Sequence, residues 1–346
     1  MSAKLSKLPI SVLDFCPIRE GETPRDALLQ ATELAAHVEE LGYHRFWVAE
    51  HHNAPMVASS ATPVVIAHIA SHTRSIRVGA GGVMLPNHVP LIVAEQFGTL
   101  ASLHPGRIDL GLGRAVGAAP GREAIVTRAL RLAPEARERY PSDVRELQSY
   151  FRAPAEGQEV QAVPGSGLQV PLWLLGSSTF SAAEAGTLGL PFVFATQIAP
   201  HLVGQALAEY RSNFRASDQL ERPYAAISVV VIAADDDATA QYLFTSLQLM
   251  MLARLRGTPG PLQRPVADIE TVSTVEERAA LAKALPLAVV GAPDRVFGEL
   301  DRLIAETAAD ELTILTLIYD QVARQRSFEI LASRLRQSCA GAAASG

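Results

Sequence analysis

Short apolar runs alternate with stretches of helical apolar spacing along most of the chain. Four strand-like runs lie between residues 10 and 112, each followed by such a stretch, and the alternation resumes at Leu172. Thr23 and Pro24 are typical of a helix start, and Gly42 is typical of a helix end. From this pattern we predict eight strands, at residues 10–15, 46–49, 76–79, 107–112, 172–175, 191–195, 225–233 and 312–317.

This alternation indicates a parallel sheet whose strands are connected by helices. Eight such units fit an α/β fold of the (β/α)8 TIM-barrel type, and a doubly wound open sheet is the alternative. Two long connections form insertions after strands 4 and 7, at residues 117–167 and 256–285. Residues 287–290 are interpreted as the lead-in to a helix rather than as a barrel strand. We expect a single domain over residues 1–346.

The composition allows a large core and argues against two classes of partner. Of the 346 residues, 48% are hydrophobic, and the net charge is −6 without any run of Lys and Arg. Nucleic acid and anionic membrane surfaces are therefore poor partners. No apolar run is long enough to cross a bilayer. The two cysteines, Cys16 and Cys339, lie far apart in the sequence, so we expect a reduced protein of the cytoplasm.

Two adjacent histidines follow the second strand, at the end of the barrel where active sites lie. Consecutive side chains of an extended chain point to opposite faces, so His51 and His52 are not expected to share a metal ion. We predict no metal site from them. Imidazole suits acid–base chemistry near neutral pH, and a general acid or base role is one interpretation of this pair. The alternative is that both histidines hold loops by hydrogen bonds.

Glycines at the end of the third strand allow a flat ligand to approach the backbone closely. Gly81 and Gly82 are the candidates, although by themselves they are more typical of a turn or bulge. A second glycine-containing segment, residues 111–117, does not fit the dinucleotide-binding pattern, because Val116 stands where the third glycine is needed. The sequence therefore argues against a Rossmann-type cofactor site.

A phosphate site is predicted where the fifth strand leads into a helix. Gly176, Ser177, Ser178 and Thr179 combine free backbone N–H groups with the positive end of a helix dipole. Arg114, after the preceding strand, is a candidate clamp because guanidinium matches phosphate oxygens. The alternatives are an ordinary helix cap at the turn and a surface or ion-paired arginine. Their positions after consecutive barrel strands favour the phosphate interpretation.

Three separated blocks of the chain resemble the bacterial luciferase-like flavin-dependent monooxygenases. They are residues 47–53, 79–117 and 171–195, and they occur in the family's order and context. They look closest to its single-chain members of unassigned substrate. The resemblance implies a TIM barrel that receives reduced FMN from a separate flavin reductase. It also implies that dioxygen adds to the flavin to form a peroxide, which oxygenates a small organic substrate.

The resemblance also implies roles for individual residues. His51 matches the histidine that assists catalysis, and Arg114 matches the arginine that grips the flavin phosphate. Ser177, together with its neighbours Gly176, Ser178 and Thr179, matches the phosphate-binding turn. Gly81 and Gly82 match the site of an unusual cis peptide beside the flavin ring. Residues 256–285 match a mobile lid that excludes water, and family members commonly form homodimers.

The chain departs from the light-emitting enzymes at two positions. Gly113 stands where the luciferase α-chain has a reactive cysteine, and Gly176 stands where it has an acid. Light emission from an aldehyde is therefore not expected. Two other functions stay open: an F420-dependent oxidoreductase of the same superfamily, and a flavin-binding protein without catalytic activity.

Overall fold

The computed structural model describes residues 8–118 and 121–343, with side chains described as far as residue 333. Capping residues locate several helix starts. Thr23 and Asp26 form a reciprocal capping box before the first helix, and Gly42 ends that helix in the left-handed conformation. The helices in this part of the chain are α1 Pro24–Leu41, α2 Thr62–Ser71, α3 Pro90–Leu103, α4 Glu123–Ala129, α5 Tyr140–Phe151, α6 Thr179–Leu188, α7 Val203–Asn213, α8 Asp237–Leu255, α9 Val275–Ala284, α10 Pro293–Thr307 and α11 Gln321–Ala343.

Eight parallel strands close into a barrel. The strands are β1 Ile10–Asp14, β2 Arg45–Val48, β3 Arg77–Met84, β4 Ile108–Gly113, β5 Leu172–Gly176, β6 Phe192–Ala195, β7 Ala225–Ala233, β8 Val289–Gly291 and β9 Glu311–Leu315. The eight ring strands follow the order β6-β5-β4-β3-β2-β1-β9-β7, and pairing between β6 and β7 closes the ring. The (β/α)8 TIM-barrel prediction is confirmed, and the open sheet is excluded.

The connections agree with the predicted insertions and add detail to them. The connection after β4 carries α4 and α5, and the connection after β7 carries α8 and α9. Strand β8 lies outside the ring, because among the described residues it pairs only with residues 231–233 at the end of β7. Residues 287–290 are thus not part of the barrel, as predicted, although Val289 and Val290 belong to the short strand β8. Mobility of the predicted lid at residues 256–285 stays a prediction.

The core has two layers. Apolar residues on the outer face of the strands pack against the helices, and a smaller cluster including Leu13, Trp47 and Trp173 fills the interior of the barrel. Below that cluster, at the amino-terminal ends of the strands, Arg45 bonds to both Asp109 and Glu311. No helix within the described residues is long and apolar enough to span a membrane.

Candidate active site

The carboxyl-terminal ends of the strands surround one opening, which we call the mouth of the barrel. The predicted site residues lie around it because each follows a different strand: His51 follows β2, Arg114 follows β4, and Ser177 follows β5. Gly81 and Gly82 lie inside β3, which is longer than predicted and reaches Met84. The barrel therefore brings all of the sequence-predicted elements to one end of the molecule.

His51 is held in an apolar position with one ring nitrogen unpaired. Its ring packs edge-on against Phe15, with centroids 5.2 Å apart. Its Nδ1 is buried without a hydrogen-bond partner among the described residues. Burial lowers the pKa of His51 to about 4; the charge of Glu50 acts in the opposite direction, and the charges of His52 and Arg254 lower the pKa further. The imidazole is therefore neutral at physiological pH.

The side chain of His52 contacts different residues from that of His51, as expected because consecutive side chains of an extended segment point to opposite faces. Its Nε2 lies 2.9 Å from Oε1 of Glu50, and Nε2 of His88 lies 2.8 Å from the same oxygen. Burial alone would raise the pKa of Glu50, but the hydrogen bonds from the two histidines lower it to about 2. The loop-holding role considered for the histidine pair therefore describes His52. Glu50 follows β2 and His88 follows β3, and nothing in the sequence indicates that the two side chains touch.

Arg114 lies over the start of α6, beside the predicted phosphate turn. Its guanidinium carbon is 4.1 Å from the centre of the Phe180 ring, and it makes no ion pair with the part of the chain that is described. Ser178 caps α6 by accepting from the backbone N–H of Ser181 at 3.3 Å. The helix-cap alternative is thus correct for Ser178, while the first N–H groups of α6, at Thr179 and Phe180, have no partner within the helix.

The glycines of this region are fixed by packing between strands. The Gly81–Gly82 peptide is cis, as the family resemblance implies. A Cβ at Gly81 would lie 2.6 Å from Cδ1 of Leu13, and a Cβ at Gly82 would lie 2.6 Å from the carbonyl oxygen of Gly111. The pairing of β3 with β4 shifts register between Ala80 and Val83, which confirms the bulge interpretation. Close ligand approach at these glycines stays a prediction.

Gly176 is also required by local packing. A Cβ there would lie 2.4 Å from Cβ of Ser181, so only glycine lets the first turn of α6 come this close to the end of β5. The first turn of α6, capped by Ser178, together with the uncompensated guanidinium of Arg114, forms a cradle of positive potential. The positive charge and the free N–H groups of this cradle are of the kind that bind a phosphate ester.

The polar part of the mouth comes from β6 and β7. The Thr196 hydroxyl donates to the carbonyl oxygen of Ser228, and Gln197 accepts from the Ser228 hydroxyl at 2.5 Å. Asp14, the last residue of β1, and Cys16 just beyond it do not join them. The carboxylate of Asp14 faces Arg324 of α11, and Cys16 is fully buried, because both side chains point away from the barrel axis.

The segment predicted to act as a lid covers one side of the mouth. Backbone hydrogen bonds join Leu262 to the segment after β1, and Leu281 of α9 packs on α8. A small cavity lies between residues 284–288 and the polar groups of β6. A larger open cleft of about 530 Å³ lies between this segment and the loop after His51, and it is lined by Asn53, Ala54, Pro55, Ser60, Arg122, Gly257, Thr258 and Pro259.

Comparison with known proteins identifies the relatives of this chain. Residues 11–311 match the model of the family described as luciferase-like monooxygenase. An Escherichia coli K12 protein named luciferase-like monooxygenase is 44% identical over 324 residues, covering 93% of this chain and 96% of the relative. The N-acetyl-S-alkylcysteine monooxygenase of Bacillus subtilis is 33% identical over 337 residues, covering 93% and 96%. The crystal structure of apo-MsnO8 has a TM-score of 0.87 at 36% identity, covering 95% of this chain and 98% of that one.

More distant structures share the fold and differ in cofactor. The oxygenating constituent of 3,6-diketocamphane monooxygenase, in complex with FMN, has a TM-score of 0.70 at 17% identity. An F420-dependent secondary alcohol dehydrogenase has a TM-score of 0.66 at 15% identity. Each covers 95% of this chain and nearly all of its own. The same barrel is therefore used with FMN and with F420.

Proposed function

The chain belongs to the luciferase-like monooxygenase family, and we propose that it is the oxygenating component of a two-component monooxygenase that uses reduced FMN and dioxygen. Its substrate is a small organic molecule. Bound FMN would supply the electrons that activate dioxygen. The protein's own residues would bind the phosphate, position the flavin ring, hold a neutral imidazole beside it and limit the access of water.

The arrangement of Arg114 at the amino-terminal end of α6 carries this proposal. A guanidinium next to the positive end of a helix dipole is unfavourable unless an anion lies between them. Arg114 has no acidic partner in the described part of the chain and stacks on Phe180 at 4.1 Å instead. A phosphate ester bound here would receive the guanidinium and the free N–H groups of the first turn.

His51 would act as a neutral partner of the reacting groups. Because burial lowers its pKa to about 4, it meets them as an imidazole that can accept a proton or a hydrogen bond through one ring nitrogen. Phe15 keeps the ring in place by an edge-on contact. Substrate would enter through the open cleft after His51, which the lid segment borders on its other side.

The partners follow from the proposed chemistry. A separate flavin reductase would deliver reduced FMN, and both proteins would work in the cytoplasm. We also propose a homodimer. Large apolar side chains are exposed on the neighbouring helices α2 and α3, among them Val64 at 70%, Ile92 at 47% and Leu103 at 66%, which gives a second copy of this chain an apolar surface to cover.

The cofactor assignment is tested by anaerobic titration with reduced FMN, reduced riboflavin and reduced F420. We expect FMN to bind most tightly. Arg114→Ala should weaken FMN by about 10- to 100-fold, because charge-assisted hydrogen bonds to the phosphate are lost, and it should leave riboflavin nearly unchanged. Arg128→Ala, at an exposed position on α4, is the matched control.

Two results would contradict the assignment. Equal weakening of FMN and riboflavin by Arg114→Ala would remove Arg114 from the phosphate site. Tighter binding of reduced F420 than of reduced FMN would favour the hydride-transferring branch of the superfamily. In that case His51 would serve as the proton partner of a dehydrogenase or reductase.

A further inference from the structure

Glu50, His52 and His88 form a compact group of metal-binding atoms, and we propose that it binds a divalent cation of the zinc class. One carboxylate oxygen and two imidazole nitrogens, Nε2 of each histidine, lie within 4.8 Å of one another. This site was not predicted from the sequence, because the adjacent histidines there are His51 and His52. The structure instead joins His52 to a histidine from the next loop.

The distances between these three atoms are close to the distances between ligand atoms in a site that holds a cation. In a tetrahedral zinc site with bonds of about 2.0–2.1 Å, neighbouring ligand atoms are about 3.3 Å apart. Oε1 of Glu50 is 2.9 Å from Nε2 of His52 and 2.8 Å from Nε2 of His88. The group therefore needs to open by roughly half an ångström to admit an ion between the three atoms.

The three ligand side chains differ in their exposure to solvent. The Glu50 side chain is 1% exposed, whereas those of His52 and His88 are 19% and 29% exposed. An ion can thus reach the nitrogens from solvent while the carboxylate lies beneath them. Two histidines and one carboxylate leave a fourth position for water, as in sites that use three protein ligands.

Neighbouring groups orient the carboxylate. Its second oxygen, Oε2, accepts from the backbone N–H of Met84 at 3.3 Å, which leaves Oε1 facing the histidines. Asn87 donates through Nδ2 to Oε1 of Glu50 at 3.4 Å and to the carbonyl oxygen of Val116 at 3.1 Å, and its Oδ1 is buried without a hydrogen-bond partner in the described part of the chain. A water on the ion would supply the donor that this oxygen lacks.

The site lies at the mouth of the barrel, on the side away from the unpaired Nδ1 of His51. Glu50 and His52 share a face of the extended segment after β2, and His51 points to the other face, against Phe15. A bound ion would tie the segment after β2 to the segment after β3. The proposal is therefore independent of which cofactor occupies the mouth.

The test is Zn²⁺ binding to the full chain after treatment with a chelator, measured in competition with a chromophoric chelator. His68 and His72 are exposed one turn apart on α2, with ring centroids 4.3 Å apart, and form a second place where zinc can bind. All titrations therefore use a chain that carries His68→Gln and His72→Gln. We expect one ion per chain, and Co²⁺ in the same site should show the visible absorption of four-coordinate cobalt.

His88→Gln in that background should weaken Zn²⁺ at least tenfold and abolish the cobalt spectrum, while His104→Gln, a half-buried histidine outside the group, should change neither. His52→Gln provides a second variant if His88→Gln does not fold, as judged by circular dichroism. Absence of stoichiometric Zn²⁺ binding, or binding unaffected by both variants, would overturn the proposal. The group would then be a hydrogen-bonded clamp between two loops.

Discussion

The residue most directly tied to the proposed chemistry is His51, and its burial determines its protonation state. The ring is neutral at pH 7, and its buried Nδ1 has no partner among the described residues. Loss of a positioned acid or base typically costs 10²- to 10⁴-fold in rate. The imidazole should therefore matter for turnover and contribute little to the binding of the flavin phosphate, which the proposal assigns to Arg114.

We expect His51→Ala to lower turnover by about 100-fold or more and to leave the dissociation constant for reduced FMN within about twofold. Steady-state turnover with a reductase and anaerobic flavin titration measure the two quantities. His72→Ala, at an exposed position on α2, should behave as the wild type. Full turnover in His51→Ala, or a wild-type rate that titrates with a pKa near 6.5, would contradict the role given to His51.

The site could be predicted from the sequence wherever strand order alone brings residues together. Arg114 and the turn at Ser177 follow consecutive strands, and the structure places the guanidinium over Phe180. The contact of Glu50 with His88 could not be predicted in this way. It depends on the direction in which each loop leaves its strand, and neither residue lies in a pattern that fixes that direction.

At the scale of elements, the two ends of the barrel strands have different roles. The mouth carries the proposed chemistry, and the opposite end carries a buried network of charges. There Arg45 lies between Asp109 and Glu311, Arg77 pairs with Asp109 at 2.6 Å, and Tyr224 donates to Glu311 at 2.9 Å. Both carboxylates are almost completely buried, so each depends on its partners.

We expect Arg45→Met to lower the free energy of unfolding by about 3–5 kcal/mol, because it leaves Glu311 buried without a cation. Urea denaturation measures this change, and flavin binding to the folded variant should be unaltered. Arg302→Met is the control, since it breaks an exposed pair with Glu306 and should cost less than about 1 kcal/mol. A similar small loss for Arg45→Met would show that the network does not stabilise the barrel.

Two features were harder to predict from the sequence than the rest of the fold: helix α9 and the second half of strand β3. Helix α9 buries mainly Leu281, so its apolar pattern is weak, although a capping box of Thr274 and Glu277 marks its start. Strand β3 continues past Gly79 because the glycines pack against neighbouring strands, and glycine-rich sequence alone is more typical of a turn. In both places tertiary packing, rather than local pattern, decides the structure.

At the scale of the whole molecule, the proposed homodimer is tested by light scattering. Twice the chain mass is expected, and Val64→Glu should shift the protein towards the monomer, because a charge would be buried on an apolar surface. Val322→Glu is the control, since Val322 is 73% exposed on a different helix, α11. A monomeric wild type at micromolar concentration, or equal effects of the two variants, would contradict an interface on α2 and α3.

The most direct test of the whole account is rapid mixing of the anaerobic protein–reduced FMN complex with oxygenated buffer, followed by the absorbance of oxidised flavin. We expect oxidised FMN to return much more slowly than it does in buffer without protein, because the mouth and its lid segment keep water from the bound flavin. Reoxidation at the rate of free FMN would contradict the monooxygenase function.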